Sequence, residues 1–340
     1  MGVTIEDVAR RAGVSRGTVS NVLNRPEIVL EATRQKVLAA MRELNFVPSQ
    51  AARMLGGARN RSIGLVVHDV GNPFFAEVAH GVEDAASPLE YIITLTSTRA
   101  DDQRQQASLR LLLAQHVSGV LLTPTVSGTD GLRQLREEGV PAVLLDYEGG
   151  VDECSVAVDD VRGGMIATRH LLDRGHRSLA FVGGPRRVRQ HADRLKGMRN
   201  ALTGMSPKPA VRVVSTQADT IAAGEEAAKT LRGDGTKPLP TGVFCGNDLL
   251  AVGLMRGLTS CGVRVPEDVA IVGYDDIELA SLVATPITSV RQPMYEMGRA
   301  ATELLLAEIR DTNHVHQHLR FVPELVIRDS TAPSRSADAS

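Results

Sequence analysis

The pattern of hydrophobic and polar residues changes near residue 60. Before that point, apolar residues recur at three- and four-residue spacing, which is typical of amphipathic helices. Beyond it, short aliphatic and β-branched runs alternate with longer helical patterns, which predicts a parallel, doubly wound α/β body. The predicted strands are 63–67, 91–96, 119–122, 142–145, 179–183, 211–214, 242–244 and 269–273.

The first segment contains three predicted helices. Thr4 opens the first helix as a capping residue, with Asp7 three positions later, and Gly13 is suited to end it. Ser15 is a good N-cap for the second helix, and the third covers about 31–44. Two short helices joined by a tight glycine-containing turn, with a third helix closing the core, form a helix-turn-helix unit.

The body repeats its own pattern. About a hundred residues from Ile63 and a similar length from Val161 show the same alternation, which predicts two similar lobes. A strand-like segment at 287–293, a long helix to about Arg310 and the segment 319–327 remain after the two repeats.

Composition and charge narrow the function classes. Hydrophobic residues make up 43 % and charged residues 23 % of the 340 residues, which excludes disordered and collagen-like proteins. Residues 1–60 hold 9 basic and 5 acidic side chains, whereas the rest holds 29 and 35, so a polyanion partner is expected for the first segment only.

Cysteine and histidine positions predict no metal site and no cofactor. The three cysteines, Cys154, Cys245 and Cys261, lack CxxC spacing and are too few for a disulfide scaffold. The histidines at 314, 316 and 318 would share one face of a strand, where a metal could bind, but solvated histidines are the favoured interpretation.

The N-terminal motif closely resembles the headpiece of the LacI/GalR family of bacterial repressors. The similarity runs through VTIEDVARRAGVSRGTVSNVLN from Val3 to Asn24, continues through TRQKVLAAMRELNFVPSQAARMLGG to Gly57, and extends over nearly the whole chain. It implies a two-lobed body similar to periplasmic sugar-binding proteins, with a cleft between the lobes. The expected divisions are a headpiece (1–47), a hinge helix and linker (48–60), a body (61–331) and a disordered tail (332–340). Within the body, the N-lobe is expected at about 61–160 and 292–320, and the C-lobe at about 161–290 and 321–331.

The second helix is the predicted DNA-reading element. Arg16 can donate two hydrogen bonds to guanine and Asn21 can pair with adenine, and both match positions from which the family reads bases. Gly17 departs from the family, because it has no side chain where relatives often have a polar one. Hydroxyl groups at helix N-termini are better placed for phosphates. The predicted DNA-binding residues are Thr4, Ile5, Ser15, Arg16, Gly17, Thr18, Ser20, Asn21, Asn24, Thr33 and Leu55.

The segment 48–57 is too short to form a stable helix alone. In the family, the corresponding segment folds when two copies pack in the minor groove, where a leucine wedges between base steps and kinks the duplex. Leu55 occupies the wedge position. The alternative is that Leu55 is an ordinary linker leucine packed on the body.

Polar and aromatic residues follow the predicted strands, where ligands bind in such sheets. Carboxylates, amides and a guanidinium beside aromatic rings suit a polyhydroxylated ring. The predicted effector-binding residues are Asn72, Phe74, Phe75, Arg99, Asp146, Arg194, Asn247, Asp275 and Gln292. Arg194 is placed at the start of a predicted helix, and Asp248 and Asp276 have N-capping as their alternative role. Asp219 stands where many relatives have a large aromatic residue, so one stacking wall is either missing or supplied by Phe74, Phe75 or Tyr147.

Together these features predict a LacI-type repressor that binds a pseudo-palindromic operator as a homodimer. Its effector is expected to be a sugar, with a purine or other non-sugar corepressor as the alternative. A tetramer stays open, although no leucine heptad follows Val326. No signal peptide or transmembrane segment is visible, so the protein is expected in the cytoplasm, on the nucleoid, with no membrane partner.

Two other classes compete with this prediction. One is a ligand receptor with no DNA role, which the helix-turn-helix pattern argues against. The other is a sugar-converting enzyme that uses Asp146 and Asp275. The phosphate-loop, HExxH and GxSxG motifs are absent from the sequence, so no enzymatic activity is expected.

Overall fold

The computed structural model describes residues 3–46, 60–125, 130–185, 188–233, 235, 238–311 and 313–332. The chain divides into two compact units, Met1–Arg61 and Ser62–Ser340. The predicted hinge segment 48–57, with Leu55, lies outside the described residues, as do residues 333–340 of the predicted tail.

The first unit is the predicted helix-turn-helix bundle. Its helices are α1 (Ile5–Ala12), α2 (Arg16–Asn24) and α3 (Glu31–Glu43), with a 3₁₀ turn at Pro26–Ile28. Thr4 and Asp7 form a capping box, in which the Asp7 N–H donates to Thr4 Oγ1 at 3.4 Å and the Thr4 N–H donates to Asp7 Oδ2 at 3.0 Å. Gly13 ends α1 with a φ of +66°, in the left-handed region that glycine adopts without strain. The buried core of this three-helix unit contains Val8, Ala9, Val19, Val22, Val37 and Ala40.

The second unit contains two six-stranded sheets. In the first, β1 (Ser62–Val67), β2 (Ile92–Ser97), β3 (Gly119–Leu122), β4 (Ala142–Leu145), β5 (Cys154–Val158) and β11 (His318–Phe321) have the spatial order β11-β5-β4-β3-β1-β2. In the second, β6 (Ser178–Gly183), β7 (Ala210–Ser215), β8 (Gly242–Cys245), β9 (Ala270–Asp275), β10 (Thr288–Arg291) and β12 (Glu324–Val326) have the order β12-β10-β9-β8-β6-β7. Every neighbouring pair in the first sheet is parallel, and in the second only β12 runs antiparallel, beside β10.

Helices cover both faces of each sheet, as a doubly wound fold requires. They are α4 (Pro73–Ala86), α5 (Asp102–Ala114), α6 (Asp130–Glu137), α7 (Asp160–Asp173), α8 (Arg189–Ala201), α9 (Ile221–Arg232), α10 (Asp248–Thr259), α11 (Glu278–Leu282) and α12 (Met294–Arg310). On the first sheet, α4 and α12 pack on one face and α5 and α6 on the other. On the second sheet, α7 and α8 pack on one face and α9 and α10 on the other. Within the described residues, no helix is long and apolar enough to cross a bilayer.

The predicted strands do not include β5, and the segment 319–327 contains two strands, β11 in the first sheet and the antiparallel β12 in the second. All five residues of β5 are buried between β4 and β11, so the strand lacks the alternation that marks a half-exposed strand. Its sequence, Cys-Ser-Val-Ala-Val, contains only two β-branched residues, which makes its local β signal weak.

Two glycines set how closely α4 and α12 approach. A Cβ on Gly81 would lie 2.0 Å from the Tyr295 carbonyl oxygen, and a Cβ on Gly298 would lie 2.0 Å from the Val78 carbonyl oxygen. Because backbone atoms meet at this contact, neither position has room for a side chain. Helix α12 follows β10, a strand of the second sheet. The close contact with α4 packs α12 against the first sheet.

Gly298→Ala should therefore lower the free energy of unfolding by about 1–3 kcal/mol, because the helices must separate to admit the methyl group. Urea unfolding of the full chain measures the change. Gly150→Ala is the control, since its Cβ would meet only the Glu153 carboxylate at 3.2 Å. Equal stability of Gly298→Ala and the unmodified protein would show that the two helices tolerate a wider separation.

Candidate functional site

Helix α2 presents an exposed polar face in the first unit. Arg16, Gly17 and Asn21 are exposed and Ser20 is partly so, while Val19 and Val22 face the core. Arg16 forms an ion pair with Glu6 at 2.9 Å. Both side chains are more than half exposed, so the pair is worth at most about 1 kcal/mol. Arg16 can exchange Glu6 for another acceptor at little cost.

The other predicted DNA residues surround the N-termini of the helices or the end of α2. Ser15 caps α2 by accepting a hydrogen bond from the Thr18 N–H at 3.1 Å, and its hydroxyl lies 2.9 Å from Thr18 Oγ1. The Asn24 amide donates to Ser20 Oγ at 3.2 Å. The remaining residues are the exposed Thr4, which caps α1, and the half-buried Ile5 and Thr33, in the first turns of α1 and α3.

A cleft in the second unit is lined by eight of the nine predicted effector residues. Its lining is His68, Asp69, Asn72, Phe74, Phe75, Asp146, Val188, Gln190, His191, Arg194, Asp219, Asn247, Asp275 and Gln292. Asn72 and Asn247 also cap α4 and α10 through their side-chain oxygens, and the Asn72 side chain hydrogen-bonds to Asp275 as well.

Arg99 is the predicted residue that the structure places elsewhere. It is exposed and does not line the cleft. It lies two residues beyond β2, which forms an edge of the first sheet, and its φ of +52° belongs to a turn. The sequence showed that Arg99 follows a strand, but not that this strand lies at the edge of the sheet.

Six lining residues were not predicted: His68, Asp69, Val188, Gln190, His191 and Asp219. The prediction that Arg194 opens a helix is wrong, because α8 begins at Arg189. Gln190 and His191 therefore lie four and three positions before Arg194, on one face of the helix. A sequence prediction that began this helix at Arg189 would have placed Gln190 and His191 on the same face as Arg194.

Arg194 is the centre of a buried polar network. Its Nε donates to Asp160 Oδ1 at 2.8 Å, and one terminal nitrogen donates to the Gly246 carbonyl at 2.5 Å. The same nitrogen lies 3.8 Å from Asp275 Oδ1, and the guanidinium carbon lies 3.7 Å from the centre of the Tyr274 ring. Burial alone would lower the pKa of Arg194, but Asp160, Tyr274 and Asp275 raise it, so the guanidinium stays charged.

The two cleft carboxylates lie at strand ends and are strongly perturbed. Asp146 follows β4 and Asp275 ends β9, and both have positive φ, +54° and +103°. Burial raises the pKa of Asp146 well above its usual range, and the nearby Asp160 carboxylate raises it further. Burial also raises the pKa of Asp275 to about 6, although Arg194 opposes the shift. Strained backbone and shifted pKa values in one cleft are typical of functional sites.

Several buried acceptors in the cleft have no protein partner. Among the described residues, Asp146 Oδ1, Gln190 Oε1, Asp219 Oδ1 and Gln292 Oε1 receive no hydrogen bond. The amide orientations are determined by their partners, since Gln190 Nε2 donates to Asp146 Oδ2 at 2.9 Å and Gln292 Nε2 donates to Asp275 Oδ1 at 2.7 Å. The cleft therefore offers acceptors to a ligand that carries several donors.

A histidine–carboxylate pair forms at Asp219, the position where the sequence departs from the aromatic residue of many relatives. His191 Nε2 lies 2.9 Å from Asp219 Oδ2. His191 Nδ1 is also buried and, among the described residues, has no hydrogen-bond partner. Phe74 and Phe75 line the cleft as an edge-to-face pair with centroids 4.9 Å apart, whereas Tyr147 does not line it.

Asp248 and Asp276 lie outside the cleft lining. The Asp248 carboxylate accepts from the Ile277 N–H at 2.9 Å and from Ser289 Oγ at 2.7 Å, so it connects β10 to the loop after β9. Asp276 pairs with Arg291 and Arg328. The N-cap of α10 is Asn247, not Asp248.

Replacing Asp275 by Asn should stabilise the protein in a pH-dependent way. The folded pKa of about 6 exceeds the usual 3.8, so ionising Asp275 increasingly penalises the folded state as pH rises from about 4 to about 6. Asp275→Asn removes this penalty and should raise the free energy of unfolding by up to about 3 kcal/mol at pH 8, and by about half as much at pH 5. Urea unfolding of the unmodified protein and of Asp275→Asn at pH 5 and pH 8 tests this prediction. An equal gain in the free energy of unfolding at the two pH values would contradict it.

Comparison with known proteins agrees with both units. The family described as bacterial regulatory proteins, lacI family, matches residues 4–49, and a periplasmic binding protein-like domain matches residues 168–331. The chain is 36% identical over 332 residues to the HTH-type transcriptional repressor PurR of Photobacterium profundum, covering 96% of this chain and 98% of that protein. Identity to the PurR of Vibrio cholerae is 36% over 338 residues, covering 96% and 97%.

Solved structures show the same architecture. A transcriptional regulator CelR–cellobiose complex has a TM-score of 0.72 and 34% identity, covering 96% of this chain and 99% of that chain. The lac repressor dimer bound to operator and the anti-inducer ONPF has a TM-score of 0.84 and 28% identity, covering 97% and 99%. Because the similarity to the repressors extends over nearly the full length of both proteins, this chain belongs to the lacI family of bacterial regulatory proteins and is a LacI-type transcriptional repressor.

Proposed function

We propose that the cleft binds a sugar as the regulatory effector of this repressor. The observation that carries the proposal is the set of buried, unpartnered acceptors on Asp146, Gln190, Asp219 and Gln292. A buried acceptor without a partner costs about 1–3 kcal/mol, so a ligand that donates to several of them gains affinity. Sugar hydroxyls are such donors, and a hydroxyl group can also accept from the Asn247 amide.

The apolar part of the cleft agrees with a sugar ring. Phe74 and Phe75 meet edge to face, so they offer ring edges and one face to the C–H surface of a ligand. The Asp219–His191 pair replaces the large aromatic residue of many relatives with polar groups. Polar groups at this place favour hydroxyl-rich ligands over a flat base that needs a stacking partner on each face.

A purine corepressor is the second candidate. The relatives named PurR favour it, since they are 36% identical to this chain over nearly its whole length. The CelR structure, at 34% identity, contains cellobiose and favours the first candidate. The two candidates therefore differ in ligand and share the same cleft.

We propose further that the cleft binds its ligand without converting it. Among the described residues that line it, none is a serine, threonine, cysteine or lysine, so any nucleophile would have to be a carboxylate or a histidine. Asp275 already receives a hydrogen bond from Gln292, and Asp146 receives one from Gln190. This arrangement suits recognition of hydroxyl groups by fixed acceptors.

For the first unit, we propose binding to a pseudo-palindromic operator as a homodimer. A single helix-turn-helix reads one half-site, and two copies related by a twofold axis read a palindrome. Arg16 and Asn21 would read bases, and the hydroxyl groups of Thr4, Ser15 and Thr18 would contact phosphates. The role of Leu55 as a minor-groove wedge stays a prediction from the sequence.

A thermal-shift screen with ribose, glucose, cellobiose, lactose, hypoxanthine and guanine tests the effector class. A sugar should raise the unfolding temperature, because it binds only the folded protein. A shift with a purine and with no sugar would favour the second candidate. For the ligand found, calorimetry should show at least about tenfold weaker binding to Asp275→Asn, since a charged acceptor becomes neutral. Asp248→Asn is the matched control, because Asp248 is equally buried but outside the cleft.

Arg16→Ala should weaken binding to the preferred operator by about 1–3 kcal/mol and relax the preference at one symmetric base pair. The operator is selected from a random duplex pool, and affinities are measured by fluorescence anisotropy at one salt concentration. Arg10→Ala is the control, since Arg10 is an equally exposed cation on α1. Equal loss of affinity on selected and random duplexes would mean that Arg16 contacts only phosphate.

A further inference from the structure

A group of metal-ligating side chains lies outside the cleft, at one side of the first sheet. Cys154 is the first residue of β5, and Glu308 lies in the last turn of α12. His314 and His316 lie between α12 and β11, the edge strand that pairs with β5. Residues far apart in the sequence therefore converge where the chain returns to the first sheet.

We propose that Cys154, His314, His316 and Glu308 form a binding site for Zn²⁺. Cys154 Sγ lies 3.2 Å from His314 Nε2 and 3.7 Å from His316 Nδ1. One ligand atom from each of Cys154, Glu308 and His316 lies within 4.8 Å of the other two. Tetrahedral zinc, with bonds of about 2.3 Å to sulfur and 2.0 Å to nitrogen, separates these atoms by about 3.5 Å.

The surroundings of the group fit a bound cation. Among the described residues, Glu308 Oε2 is buried and has no hydrogen-bond partner, which is costly for a carboxylate. Cys154 is fully buried, and its sulfur accepts a hydrogen bond from the Gln317 N–H at 3.3 Å. Hydrogen bonds from outside the ligand set orient metal ligands and tune their strength.

Hydrogen bonding alone leaves part of the group unexplained. The thiol can donate to one imidazole and accept from the N–H of the other, so these two contacts need no metal. Nothing in that arrangement satisfies the buried oxygen of Glu308. A cation would bind Cys154, His316 and Glu308 at once, with His314 beside the sulfur as a further candidate ligand, and a thiolate with imidazole favours zinc over magnesium or calcium.

The alternation of the three histidines suggested that they share one face of a strand, but the structure does not place them so. His314 and His316 precede β11, whereas His318 begins it. The His318 ring lies 2.9 Å from Ser155 Oγ and contributes nothing to the group. This difference makes His318 a matched control for His316, because both belong to the same short segment.

Cobalt and zinc binding test the site in the full-length protein, first treated with EDTA. A Cys261→Ser background removes the exposed cysteine. With Co²⁺, this protein should show the near-ultraviolet charge-transfer band of a thiolate–cobalt bond, at one metal per chain. Further replacement of Cys154 by Ser should remove the band. Calorimetry with Zn²⁺ should show one site per chain, and His316→Gln should weaken it by at least about tenfold, as loss of a direct ligand does.

His318→Gln should keep the Zn²⁺ affinity of the background protein. If the Cys261→Ser protein, in which Cys154 is intact, shows no thiolate–cobalt band, the proposal is wrong. This measurement does not depend on whether any further variant folds. Zinc binding that is unchanged by His316→Gln, or weakened equally by His318→Gln, would also overturn it.

Discussion

The buried guanidinium of Arg194 holds together the polar side of the second sheet. It donates to Asp160 at the start of α7 and to the carbonyl of Gly246 after β8, and it lies beside Asp275 at the end of β9. Without this cation, several buried carboxylates would face one another uncompensated. Removing one partner of a buried ion pair typically costs about 3–5 kcal/mol. Arg194 is therefore a structural residue of the site as well as a candidate ligand contact, with two of its donors already used by the protein.

The cleft also contains a direct link between the two sheets. Asp146 follows a strand of the first sheet, and Gln190 lies on a helix that packs on the second. The Gln190 amide donates to the Asp146 carbonyl at 2.6 Å and to its carboxylate at 2.9 Å. A ligand that uses the remaining acceptors of both residues would contact both lobes. It can change their arrangement only to the extent that it binds one arrangement better than another.

Local chemistry made the headpiece predictable. The Thr4–Asp7 capping box, the left-handed Gly13 and the Ser15 cap all act within a few residues, so the sequence contains the whole signal. The alternation of strands and helices likewise predicted two doubly wound sheets. It did not reveal β5, whose short buried sequence has no local period, or the start of α8 at Arg189.

The sequence by itself determined the helix-turn-helix, the α/β body and most of the acids, amides and aromatic residues that reach the cleft, because strand ends in such folds meet at one edge. Only the tertiary structure decided that Arg99 lies outside the cleft and that Gln190, His191 and Asp219 line it. It also brought Cys154 to His314, His316 and Glu308, which are more than 150 residues away. The physical reason is that these contacts depend on the order of the strands in each sheet and on where α8 begins, and neither is encoded by the local hydrophobic period.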